Sequence, residues 1–119
     1  MKIYQRETVT GVANDRVYGN GIQSTQSDIK HILGVYINVD EYADNDVELY
    51  IERERILQMH DYFFDTYDDT GGTSTPYSTS KQCFVPLDFD LTVGKVLQAA
   101  INCGVTATDL RITYVYELK

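Results

Sequence analysis

The sequence predicts an all-β chain, an antiparallel β-sandwich of seven or eight strands. Its last segment, Asp109 to Leu118, places large apolar residues on every even position, with Arg111, Thr113 and Glu117 among the odd ones. That is the period-two pattern of a strand with one face in a core and one face wet. The same alternation returns along the chain between clusters of turn formers spaced about ten residues apart, the rhythm of a sandwich. A length of 119 residues with 43% hydrophobic composition suits a single domain, residues 1–119, with a sizeable core. Because the alternating segment lies at the end of the sequence, its partner strands are expected earlier in the chain.

The first strand expected is Ile3 to Val9, rich in threonine and aliphatic residues but carrying Arg6 and Glu7. Those charges suit an edge, and residues 1–12 are read as an N-terminal arm that copies of the chain could exchange. Residues 13–28 are dense in Asn, Asp, Gly and Ser and read as turns, interrupted by a short strand around Arg16 to Tyr18. His31 to Val39 follows as a firm strand with Leu33, Val35, Ile37 and Val39 on one face. An acidic turn, Asp40 to Asp46, leads to Val47, Leu49 and Ile51, with Glu48, Tyr50 and Glu52 expected on the wet side. Residues 52–64 have good helix propensity, yet Glu54 breaks the apolar stripe. A turn near Arg53-Glu54 and a strand from Ile56 to Phe63 fit better.

Asp65 to Ser80 reads as a loop, since its Asp, Gly, Thr and Ser residues have no face to bury. Phe84 to Leu91 resumes the alternation, with Leu87, Phe89 and Leu91 inward and Asp88 and Asp90 outward. Pro86 lacks a donor and favours an edge or a strand start. Thr92-Val93-Gly94 makes a turn, and Lys95 to Asn102 is read as a strand over a competing helix, because it leads directly into the final strand. In that last strand Leu110, Ile112, Tyr114, Tyr116 and Leu118 define a core face. Seven or eight strands in one domain favour a β-sandwich, and the single jelly roll, eight strands in two facing sheets, is the specific form preferred.

Ten basic against eighteen acidic side chains give a net charge of -8, which disfavours direct contact with nucleic acid phosphates. No apolar run approaches the ~20 residues of a membrane-spanning helix, and the N-terminus lacks the apolar segment of a secretory signal. A cytoplasmic site of synthesis is therefore expected. Cys83 and Cys103 form no CxxC pair and read as small core residues rather than a disulfide. Tyrosine is the outlier, with ten Tyr against four Phe and no Trp. Such a composition suits half-buried sheet positions and interfaces alike.

His31 and His60 stand without HxH or HExxH spacing, no serine lies in a G-x-S-x-G elbow, and no Gly-rich phosphate loop is present. The chain therefore reads as a non-enzyme with no cofactor. The acidic turn, through Asp40, Asp44 and Asp46, has the hard oxygen donors calcium prefers, but lacks the D-x-[DN]-x-[DN]-G pattern; a solvated acidic turn is the plainer meaning. The polar loop brings Tyr67, Asp68, Asp69 and Tyr77 together in sequence. Tyrosine rings stack on sugar faces and aspartates accept sugar hydroxyls, so these four are candidate ligand or partner residues.

From Phe84 onward, Val85-Pro86-Leu87-Asp88-Phe89-Asp90-Leu91, Val93-Gly94, Leu97-Gln98-Ala99, Asn102-Cys103-Gly104 and the terminal Tyr-Val-Tyr-Glu resemble the last three strands of small virion proteins built on one jelly roll. The resemblance covers about a third of the chain as a succession of strand and turn types. It implies a capsid, spike, fibre or decoration subunit, assembled in a host cytoplasm, whose partners are copies of itself and a larger capsid lattice. Only Lys2 and Arg6 are basic near the N-terminus, so an outer shell fits better than contact with the genome. The alternative function is a lectin-like module binding carbohydrate or a receptor.

Overall fold

The computed structural model describes residues 1–39, 44–60 and 84–119, together with the backbone of two short strands between the last two segments. The strands are β1 (Lys2–Val9), β2 (Arg16–Tyr18), β3 (Ile22–Gln23), β4 (Lys30–Val39), β5 (Asp46–Ile51) and β6 (Glu54–His60). They continue with β7 (Tyr67–Asp68), β8 (Thr75–Pro76), β9 (Phe84–Leu91), β10 (Val96–Asn102) and β11 (Leu110–Leu118). The described residues contain no helix.

Two antiparallel sheets pack face to face. The first runs β1-β11-β4-β9; the second runs β2-β10-β5-β6, with β3 also paired to β10. β2 and β3 lie end to end on the same edge of β10, and the Gly19 amide between them donates to Ala99 O at 2.8 Å, so the two act as one interrupted strand. The pairings then nest like brackets. β1 pairs β11, β2 and β3 pair β10, β4 pairs β9, and β5 pairs β6. Rolling this long hairpin adds the lateral pairs β11–β4 and β10–β5.

The core lies between the sheets. Ile32, Val35, Ile37, Val39, Leu110, Ile112, Tyr114 and Tyr116 come from the first sheet; Val47, Leu49, Leu97, Ala99 and Ile101 come from the second. β1 forms an edge, as its charges require, and pairs in register with this chain's own β11 from Lys2↔Glu117 to Val9↔Leu110. β9 is the opposite edge, where Pro86 leaves no ladder bond broken on a second side.

Several expectations shift. On β4 the register slips between Ile32 and Gly34 against β9, and β11 slips at the same level between Val115 and Tyr116. The extra residue is Leu33, which is only half-buried, while Ile32 takes the core position expected of it. A bulge inverts the alternation beyond it. Gly34 has no side chain at this slip because a Cβ would overlap the Phe84 ring and Val85 O. Leu118 is 48% exposed, so the core face of β11 ends at Tyr116.

The turn between β5 and β6 sits one residue earlier than expected, at Glu52 and Arg53. Both have positive φ, 50° and 70°, the signature of a type I′ hairpin, although neither is the usual Asn or Gly. Thr92 to Lys95 closes with Lys95 N–H to Thr92 O at 3.0 Å. Gly94, at φ 84°, occupies the turn position that needs a left-handed residue. The segment read as a loop from Asp65 to Ser80 contains the β7–β8 ladder, with Tyr67 opposite Pro76 and Asp68 opposite Thr75. The part of the Ile56 to Phe63 strand that is described ends at His60.

Candidate functional site

The outer face of the second sheet is where polar chemistry concentrates. Side chains alternate across a strand, so those opposite the core residues Val17, Ile101, Val47 and Leu49 point away from the sandwich. They form cross-strand rows. Tyr18, Ala100, Glu48 and Gln58 make one row, and Gln98, Tyr50 and Arg55 the next.

Glu48 faces outward, as its place in the alternation requires, yet its side chain has no exposed surface. Arg16 reaches it across β10, giving Nε–Oε1 at 2.7 Å and Nη2–Oε2 at 3.3 Å. Arg55 donates from Nη1 to Oε2 at 3.1 Å, and Tyr50 donates its hydroxyl to Oε1 at 3.0 Å. Crossing from β2 to β5 spans two strand spacings, about 10 Å, which needs a long side chain. Ala100, fully buried in the strand between, leaves room for that crossing. Both arginine side chains keep a water-facing side, at 37% and 44% exposure. The hydrogen bond and charge of Glu48 raise the pKa of Arg16. Burial, and then the hydrogen bond and charge of Glu48, push the Tyr50 hydroxyl up to about 12, so it stays a donor at neutral pH.

Beside this cluster the Tyr18 ring meets Tyr50 edge-on, with centroids 5.3 Å apart. Tyr18, Gln98 and Arg53 line a cleft of about 410 Å3 there. Gln98 donates from Nε2 to Gly19 O at 3.0 Å, which fixes its amide and turns its carbonyl oxygen free among the described residues. Arg53, at the tip of the type I′ hairpin, is exposed and makes no hydrogen bond or ion pair among the described residues.

A second polar group spans the first sheet and the core. Tyr114, almost fully buried, accepts from Ala99 N at 3.2 Å and donates to Glu7 Oε1 at 3.1 Å. Glu7 also accepts from the amides of Asn20 and Gly21, which ties β1 to the link between β2 and β3. Burial, then the charge of Glu7, raises the Tyr114 pKa. At the other edge His31 bridges Asp90 through Nδ1 at 2.6 Å and Asp88 through Nε2 at 2.7 Å, and Lys119 Nζ meets Asp90 at 2.7 Å.

Of the candidates taken from the sequence, only part falls among the described residues. Asp44 is exposed and lies 3.2 Å from His60 Nε2, while Asp46 accepts from Gln58 at 3.1 Å; Asp40 lies outside the described residues. Among the described residues no three His, Cys, Asp or Glu side chains are grouped to hold a metal ion. Tyr67 and Asp68 lie in β7, and Asp69 and Tyr77 fall outside the described residues. Cys103 is a free, buried thiol packed beside Thr108 O; Cys83 falls outside the described residues. No helix among the described residues is long and apolar enough to cross a membrane.

The residues that reading the sequence missed are Arg16, Tyr18, Glu48, Tyr50, Arg53, Arg55 and Gln98. A signal was present in Glu48, a lone acid inside an apolar run, with Arg53 and Arg55 one hairpin turn away. No family model, curated protein or solved structure matches this chain.

Proposed function

We propose that this chain is a jelly-roll structural subunit of a virion shell or its decoration, which works by assembling into symmetric oligomers. The observation that carries the reading is the nested strand order. With β2 and β3 counted as one strand, the sandwich has eight strands in two sheets of four, and apart from the β5–β6 hairpin the chain alternates between the sheets as a folded long hairpin. That succession supports the jelly-roll form. A fold alone does not name a function, so the surface matters too. Tyr4 is 59% exposed on β1, Phe84 41% on β9 and Val105 82% before β11, apolar groups that association would cover. Among the described residues β1 also presents an unpaired ladder edge eight residues long, to which a neighbouring strand can add.

Exchange of residues 1–12 between copies is one route to assembly. It would transfer the whole β1–β11 ladder, the Glu7 contacts and buried Val9 to a neighbour without changing any of them. Light scattering across a concentration series, paired with electron microscopy, tests the proposal. Discrete symmetric oligomers are expected; a monomer at every concentration with no ordered particles would overturn it. Arg6 and Thr113 face each other across the β1–β11 ladder, so an Arg6→Cys/Thr113→Cys variant reports the route. Disulfide-linked dimers on a non-reducing gel mean exchange, and exclusively internal closure refutes it.

The carbohydrate reading also keeps a specific support, the cleft at Tyr18, Gln98 and Arg53.

A further inference from the structure

We infer that the cleft on the outer face of the second sheet is a binding site for a carboxylate-bearing sugar, a pyranose acid of the uronate type. The inference takes its ligand class from the carbohydrate reading and does not depend on assembly. Its volume, about 410 Å3, lies within the range of small-ligand sites.

Three groups with different chemistry converge there. Tyr18 offers a half-exposed ring, 50% accessible, whose orientation is fixed by its edge contact with Tyr50 at 5.3 Å. A rigid aromatic face suits the C–H face of a sugar ring, because little side-chain entropy is left to lose on binding. Gln98 donates one of its two amide N–H groups to Gly19 O, which fixes the amide. Its carbonyl oxygen is left as an acceptor, and a sugar hydroxyl is a donor that matches it. Arg53 presents a guanidinium fork with no partner among the described residues, and that planar donor pair matches a carboxylate in two-point geometry.

The anion chosen follows from charge. Arg16 and Arg55 are engaged by Glu48, so Arg53 is the one cation lining the cleft among its described residues. The chain carries a net charge of -8, which repels a phosphate dianion more than a carboxylate monoanion. A single guanidinium therefore fits one negative charge. A neutral sugar would leave Arg53 unused, and a simple carboxylate would leave Tyr18 and Gln98 unused.

The test is titration of the isotope-labelled protein with sodium D-glucuronate, followed by amide NMR shifts. D-glucose, the methyl ester of glucuronate and sodium acetate serve as comparators. Shifts confined to the surroundings of Tyr18, Arg53 and Gln98 are expected, with a Kd on the order of 1 mM. Arg53→Asn, chosen because asparagine tolerates the left-handed backbone at this position, should weaken binding roughly tenfold. The ester and glucose should bind the wild type no better than glucuronate binds that variant. Tyr18→Ala should abolish the shifts while the variant still melts cooperatively. Equal binding of glucose and glucuronate would overturn the role of Arg53. Acetate reproducing the full effect would overturn the sugar, and shifts mapping elsewhere would overturn the site.

Discussion

Removing both arginines from Glu48 is the perturbation whose size the structure defines best. Glu48 has no exposed side-chain surface and accepts two bonds from Arg16, one from Arg55 and one from Tyr50. A buried hydrogen bond to a charged group contributes about 1.5–3 kcal/mol. The arginine side chains here are 37% and 44% exposed, so solvent screening brings each bond to or below the lower end. Arg55→Ala should then cost about 1 kcal/mol and Arg16→Ala about 2 kcal/mol, since each single variant leaves one cation in place. The double variant leaves a buried anion with no cation, and its cost should reach about 4 kcal/mol, more than the two singles together. Urea unfolding measures this as a shift in midpoint at constant slope. Such a loss is a large share of the ~5–15 kcal/mol typical of a domain, so a rescue variant belongs in the set. Adding Glu48→Leu to the double variant replaces the stranded charge with an apolar group and should restore most of the stability. A double variant within about 1 kcal/mol of wild type, or a Leu replacement that fails to rescue, would refute the account of Glu48 as a caged charge.

Other consequences are equally specific. Hydrogen bonding to Asp90, and then to Asp88, raises the pKa of His31, so its contribution to stability is complete below the ordinary value of about 6.5 and is lost as pH rises through the raised one. Lys119, and then His31, lowers the pKa of Asp90, whose contribution is complete above about 3.9 and is lost as pH falls through the lowered value. The cluster therefore stabilises most between those limits; His31→Ala should flatten the fall in urea midpoint on the alkaline side, and an unchanged profile would count against the pairing. Tyr114→Phe removes the hydroxyl between Ala99 N and Glu7 and should cost about 1–2 kcal/mol, with faster hydrogen exchange at the Ala99 amide; unaltered protection there would contradict the bond. Deleting the chain from Leu110 onward removes the strand that joins β1 to β4 and should abolish cooperative folding, so a soluble truncated protein with a sharp melt would contradict the topology.

The strands were legible because burial on one face imposes period two, and the β-sandwich class follows from repeating that pattern. What escaped has local causes. Read without interruption, the alternation of β4 puts Leu33 inside, and only the slip against β9 and β11 shows that Ile32 belongs there. The Glu52-Arg53 turn carries none of the usual turn residues. Its position is fixed by cross-strand pairs such as Val47↔Met59 and Leu49↔Leu57 rather than by its own chemistry. β3, two residues long, is defined by its partner β10 and has no pattern of its own. The outer-face site was the least legible part. A glutamate among aliphatics reads as wet, and its burial depends on Arg16, thirty-two positions earlier in the chain.

The charge cage and the cleft belong to one arrangement. Glu48 is not among the residues lining the cleft, yet it accepts the Tyr50 hydroxyl at 3.0 Å, and Tyr50 in turn meets the Tyr18 ring that forms one wall. A ring already held in place loses less freedom when a sugar stacks on it. Tyr50→Phe keeps the ring but gives up the hydroxyl that Glu48 accepts, and it leaves both arginines engaged by Glu48. The released ring should let Tyr18 move, and glucuronate should bind about threefold more weakly in a variant that still melts cooperatively. The loss should be independent of salt, since it acts through the ring and not through Arg53, whereas the effect of Arg53→Asn should shrink as salt screens the carboxylate. Binding by Tyr50→Phe equal to wild type would separate the two features, leaving the cage as a stability element of the second sheet alone.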